Sequence, residues 1–201
     1  QGTTADGVKA IRYAIANGAK ILSNSWGGEK DDEDDTELRQ VIRDAADQGV
    51  LFLFAAGNGR NGVGYDNDHD AKPTIPASYE FDNIVSIAAI DQNNALAGFS
   101  NWGAATVDIA APGVKILSSV PGGQYEDQIK LFGFPVADWS GTSMATPHVA
   151  GAAALLWSQY PTETWAQIKA RLLDSAVPVA GLAGKVKTGG MLDVSRAIQP
   201  R

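Results

Sequence analysis

The apolar positions of the first half of the chain follow two alternating rhythms. Between Thr4 and Gly18, the residues Val8, Ile11, Ala14 and Ile15 recur at helical spacing. Thr4 or Asp6 stands ready to cap the start, and Gly18 to end the helix. Lys20 to Ser25 then reads as a short strand closed by Gly27-Gly28. From Thr36 to Gly49, Leu38, Val41, Ile42 and Ala45 form a second amphipathic helix, and Val50 to Ala56 is an unbroken apolar run stopped by Gly57-Asn58-Gly59. An unbroken apolar strand has both faces covered. Helix, strand, helix, strand with such strands predicts an α/β fold in three layers, a mostly parallel sheet with helices on both faces. Its ligand site belongs at the carboxyl ends of the strands, where both glycine turns fall.

Further strands are expected at Ile84 to Ile90 and Val107 to Ala110, with helices at Gly141 to Trp157, Thr162 to Ala176 and Asp193 to Ile198. The polar segments Arg60 to Ala77 and Pro121 to Asp138 read as long loops, and Asp31 to Asp35 as part of an acidic, solvated one. No internal repeat or linker divides residues 1–201, which read as one domain.

Composition narrows the class. Hydrophobic residues make up 44% against 19% charged, so the chain can build a core. No stretch reaches the roughly 18–20 apolar residues of a membrane-spanning helix. A formal charge of −7 repels nucleic acid and anionic lipid, so neither is expected as a partner. The absence of cysteine removes disulfides, thiolate metal sites and a Cys nucleophile together. The chain begins at Gln1 without a leader, as expected of a processed product or of a piece of something longer.

The most informative stretch is Ser140-Gly141-Thr142-Ser143-Met144-Ala145-Thr146-Pro147-His148-Val149-Ala150-Gly151. A helix built almost wholly of small residues packs closely on all sides. Ser143 then sits at its N-terminus, where free N–H groups and the helix dipole favour developing negative charge. A Ser-Thr pair before a helix more often serves only as a cap. The whole string, however, resembles the nucleophile signature of the subtilisin-like serine proteases, unbroken from Gly141 to Gly151. The α/β-hydrolase elbow fits less well, because Ala145 stands where its second glycine belongs.

The resemblance implies a serine endopeptidase acting through an acyl-enzyme on Ser143, with peptide or protein substrates and secretion from the cell. It assigns oxyanion stabilisation to Asn58, in Ala55-Ala56-Gly57-Asn58, together with the Ser143 N–H. It places Ser25, Trp26, Gly27, Ala55 and Gly57 along the bound peptide, with Trp26 where Leu is common. It also implies a structural Ca²⁺ or Na⁺ held by the Asp108 carboxylate and the carbonyls of Ala77 and Tyr79. Asp66-Asn67-Asp68-His69-Asp70 resembles a cation loop, but Ala71 and Ala77 occupy the positions where an EF-hand needs Gly and Glu.

A serine nucleophile needs a base. His148 follows Ser143 by five residues on the same helix, about 140° around and ~7.5 Å along the axis, and His69 lies in a polar loop. Neither suits the role. In the family the Asp and His of the triad precede the Ser, so the chain resembles the C-terminal two-thirds of a catalytic domain. The expected partner is an N-terminal fragment that carries Asp and His. The rival expectation is a non-catalytic, peptide-binding or structural remnant.

Overall fold

The computed structural model describes residues 2–30 and 35–200, so the acidic residues Asp31 to Asp34 lie outside the described residues. In chain order the elements are α1 (Thr4–Ala16), β1 (Ile21–Asn24), β2 (Gly28–Glu29), α2 (Thr36–Asp47), β3 (Leu51–Ala55), β4 (Thr74–Ile75), β5 (Ile84–Ile90) and β6 (Ile109–Pro112). They continue with β7 (Ser118–Val120), β8 (Gln124–Glu126), β9 (Gln128–Leu131), β10 (Phe134–Asp138), α3 (Thr142–Gln159), α4 (Trp165–Asp174), β11 (Val177–Pro178), β12 (Gly190–Met191) and α5 (Val194–Ala197).

The central sheet runs β1-β3-β5-β6-β12-β11, with every pairing parallel except the last. Alternation along β3 shows why its sequence is wholly apolar. Leu51 and Leu53 point into one core with Ala145, Val149, Ala153 and Leu156 of α3, while Phe52 and Phe54 point into the other with Val41, Ile42 and Ala45 of α2. The three-layer α/β architecture expected from the pattern is thus present. Among the described residues, β1 has a neighbouring strand in the sheet on one side only.

Local boundaries moved where capping chemistry decided them. The first helix is capped by Thr3, whose hydroxyl accepts the Asp6 N–H while the Asp6 carboxylate accepts the Thr3 N–H. Thr164 and Gln167 form the same box at α4, so that helix starts after Thr164 rather than at Thr162. The loop expected at 121–138 is mostly strand. β9 and β10 pair antiparallel around Phe132 and Gly133, and β8 pairs with β7. Ile129, Leu131, Phe134 and Val136 all remain exposed, so this ribbon has no buried face to impose the alternation by which strands are recognised. The turn expected at Gly27-Gly28 likewise continues into β2, which pairs with β4 inside the other expected loop.

Candidate active site

The carboxyl ends of the central strands carry the site. Beyond β3 the chain turns through Gly57 and Asn58, and a polar network holds that turn. Asn101 Nδ2 donates to Thr74 Oγ1 at 2.9 Å and Asn67 Oδ1 at 3.2 Å, Asn67 Nδ2 donates to the Ala56 carbonyl at 2.9 Å, and the Asn101 N–H donates to the Gly57 carbonyl at 2.9 Å. Gly57 has φ +110°, and a Cβ there would collide with Thr74 Oγ1 and Asn101 Nδ2, so the network needs glycine at this position. Asn67, Thr74 and Asn101 are buried; in the sequence Asn67 stands out only as part of the cation-like 66–70 run, and Thr74 and Asn101 not at all. Spread over three loop positions, they leave no local pattern to find.

α3 meets this turn at its first residue. The small side chains of the helix let it pack against β1, β3, β5 and β6 together. At its N-terminus the Thr142 N–H donates to Asn58 Oδ1 at 2.8 Å and the Thr142 hydroxyl donates to the same oxygen at 2.9 Å, while the Gly57 N–H donates to Thr142 Oγ1 at 3.2 Å. These bonds fix which way the Asn58 amide faces, because its oxygen is committed to Thr142. Its Nδ2 group and the Ser143 N–H have no acceptor among the described residues. A Cβ on Gly141 would sit 3.3 Å from Asn58 Nδ2, tight enough to press on that amide. Thr142 is therefore a positioning residue that looked like an ordinary cap in the sequence.

The Ser143 hydroxyl donates to the Ser25 carbonyl at 3.2 Å, and the Ser25 hydroxyl donates to the Ser143 carbonyl at 2.8 Å. Two cavities meet at Ser143. A polar one of about 230 Å³ is bordered by Ser25, Trp26, Gly27, Ala55 and Gly57, the set expected along a substrate, by Asn58, expected to stabilise the oxyanion, and also by Glu29, Tyr65 and Thr74. An apolar one of about 460 Å³ lies on the other side, walled by Leu117, Trp139, Met144, Pro147 and His148. Trp26 is held edge-on to Phe54 at 5.8 Å, with its Nε1 donating to Asn24 Oδ1.

At the rim of the polar cavity, Arg60 joins Glu29 at 2.7 Å and grips Asp70 with both terminal nitrogens. Hydrogen bonds from Arg60 hold the Asp70 carboxyl down at about 2. Asp68 accepts from the backbone of Ala105 and Thr106, and Asp66 from the Asp68 N–H. The carboxylates of the 66–70 loop thus have protein donors, in keeping with a plain loop. Among the described residues no group of three or more His, Asp or Glu is placed to hold a metal.

Neither histidine touches the Ser143 hydroxyl. His148 borders the apolar cavity, but its Nδ1 lies 2.9 Å from the Met144 carbonyl, one turn back on its own helix. His69 is exposed, with Nδ1 2.9 Å from Asp66 Oδ2.

The residues named for a cation, Ala77, Tyr79 and Asp108, border a separate cavity of about 170 Å³ at the opposite, amino end of the sheet. Burial raises the Asp108 carboxyl above its usual range, opposed by Lys169, by the Ser86 N–H that Oδ2 accepts at 2.8 Å, and by Lys187. The Tyr79 carbonyl already accepts the Phe81 N–H, and the Lys169 ammonium donates to two other carbonyls of the same wall. Lys169 and Lys187 share this wall with Glu80, Asp82 and Asp108, and an ammonium already bonded to two of its carbonyls leaves a donor set that does not fit a metal ion.

Comparison with known proteins matches residues 1–197 to the sequence model of the Subtilase family. A thermostable alkaline protease of Halalkalibacterium halodurans is 35% identical over 199 residues, 98% of this chain and 47% of that protein. Subtilisin E of Bacillus subtilis is 37% identical over 169 residues, 84% of this chain and 39% of that protein. The chain thus spans less than half the length of either relative. Among solved structures, MycP1 from Mycobacterium smegmatis superposes with a TM-score of 0.85 at 25% identity, covering 98% of this chain and 55% of that one. The prenylagaramide maturation protease PagA gives 0.78 at 32% identity, covering 98% and 67%.

Proposed function

The chain belongs to the subtilase family, and from that premise we propose that it is the nucleophile-bearing part of a serine endopeptidase. One observation carries the reading. Two hydrogen-bond donors without an acceptor, Asn58 Nδ2 and the Ser143 N–H, belong to residues of the same cavity wall as the Ser143 hydroxyl. In the acylation step Ser143 Oγ bonds to the carbonyl carbon of the peptide and its proton passes to a base. The carbonyl oxygen takes the negative charge in reach of the two donors, and collapse breaks the C–N bond as the amine takes the proton back. Water then hydrolyses the ester. Ser25, Trp26, Gly27, Ala55 and Gly57 border the cavity that receives the acyl side of the peptide.

The base and its orienting carboxylate come from a segment N-terminal to this chain, which carries His and Asp. The unpaired edge of β1 supports this, as does the exposed face of α3 beside it, where Leu155 is 46% accessible. Apolar surface of this kind, next to a strand with free edge groups, calls for a covering element. Secretion fits the acidic, cysteine-free composition, and among the described residues no helix is long and apolar enough to cross a membrane.

The test is peptide hydrolysis by the complete catalytic domain before and after Ser143→Ala. The substitution should remove about 10⁴-fold or more of kcat. Retained hydrolysis would refute Ser143 as nucleophile. Peptide binding without hydrolysis in the unmutated domain would favour the non-catalytic remnant.

A further inference from the structure

The cavity between the 77–84 segment and Asp108 is walled by backbone carbonyls and by Glu80, Asp82 and Asp108, oxygen chemistry that draws positive charge. A cation of the protein's own already stands in it. Lys169 projects from α4, and its ammonium donates to the Asp82 carbonyl at 2.9 Å and to the Ile84 carbonyl at 2.6 Å. Both lengths are those of charge-assisted bonds. Asp108 borders the same cavity and is only 7% exposed. We propose that Lys169 is the permanent cation of this cavity, replacing a metal ion, and that it ties α4 to the start of β5 opposite the Asp108 carboxylate that precedes β6.

Three physical points support the assignment. An ammonium offers three donors, of which two are committed to carbonyls here. One lone pair on each of the Asp82 and Ile84 carbonyls is therefore engaged by an ammonium that a metal would have to displace. A metal entering the cavity would meet the Lys169 ammonium, with Lys187 also on the wall, and like charges repel. Finally, among the described residues the buried Asp108 carboxyl accepts only the Ser86 N–H, so a nearby positive charge favours its ionised form, and Lys169 on the same cavity wall supplies one without contacting it.

The experiment measures melting temperature on the full-length protein, without reference to activity, so its failure and that of the peptidase reading are separable. Four forms are compared: wild type, Lys169→Met, Asp108→Asn, and the double variant. Each is melted in choline chloride, in NaCl of equal ionic strength, and with CaCl₂ or chelator. A response that persists unchanged in Asp108→Asn belongs to another site and is subtracted.

Wild type should then show no response to Na⁺ or Ca²⁺ at this cavity. Lys169→Met should melt roughly 4–8 °C lower in choline and regain part of that loss in Na⁺ or Ca²⁺. The double variant should lose the regain. Ion stabilisation of wild type that Asp108→Asn removes would overturn the proposal, and so would a Lys169→Met protein that melts like wild type. Should Lys169→Met fail to fold, Lys169→Arg decides by keeping the charge. It should fold and remain ion-independent, and an ion-dependent Lys169→Arg would also overturn the proposal.

Discussion

The two ends of the central sheet handle polar groups in opposite ways. At the amino end, the Asp108 carboxylate accepts a backbone N–H and the Lys169 ammonium on the same cavity wall donates to two carbonyls. At the carboxyl end, Asn58 is fixed through its oxygen while its nitrogen stays unused. There too the Ser143 N–H has no acceptor, and the Ser143 hydroxyl rests on a carbonyl rather than a base. The difference separates stability from function. A polar cluster that bonds to groups of its own chain braces the fold, whereas donors held in place and left open are, in the proposed function, prepared for the charge of a bound substrate.

The comparison can be broken by substitutions that cross it. The largest effect is expected at Asn58. Asn58→Leu should lower kcat about 10²- to 10³-fold with little change in KM, because the lost bond forms in the transition state. The same change strips Thr142 of its acceptor and should also lower the melting temperature. Asn58→Asp keeps the acceptor oxygen and should therefore melt close to wild type, yet lose at least as much kcat, since a carboxylate would face the oxyanion. Equal melting losses in the two variants, or an unchanged kcat in either, would remove the assigned division of labour within that amide. Lys169→Met should do the reverse, shifting melting and sparing kcat.

The smallest effect is expected at His69. Its bond to Asp66 raises its pKa above the ordinary value of 6.5. A group raised in the folded state contributes stability that is fully present below the unfolded pKa and lost as pH rises through the folded one. His69→Gln should thus lower the melting temperature only slightly at pH 6 and below, with the difference fading above the raised pKa. The side chain is 82% exposed, which keeps the effect small. The pH profile of kcat/KM should not move; loss of its acid limb together with most of the activity would make His69 the base.

Sequence reading succeeded where one residue type had one physical use. The apolar runs of β3 and β5 could only be strands buried on both faces, and the string around Ser143 could be placed from its small residues and its resemblance. It failed where a residue acts across the fold. Thr142 orients Asn58 from 84 positions away, and nothing in a threonine before a helix distinguishes that role from capping. Lys169 looks like a solvated residue of an amphipathic helix, yet its ammonium enters a cavity walled by the segment leading into β5 and the residues just before β6. The ribbon of β9 and β10 escaped notice because no face of it is buried.

The claim at the centre is that the nucleophile is present and its base is supplied from outside residues 1–201. The direct measurement is the mass shift on the Ser143 peptide after brief exposure to a fluorophosphonate. It is taken on the 201-residue chain alone and again after addition of an N-terminal segment that carries the Asp and His. The account predicts almost no shift for the chain alone and rapid, stoichiometric labelling once the segment docks on the β1 edge. Rapid labelling of the chain by itself would contradict it and place the base at His69 or His148.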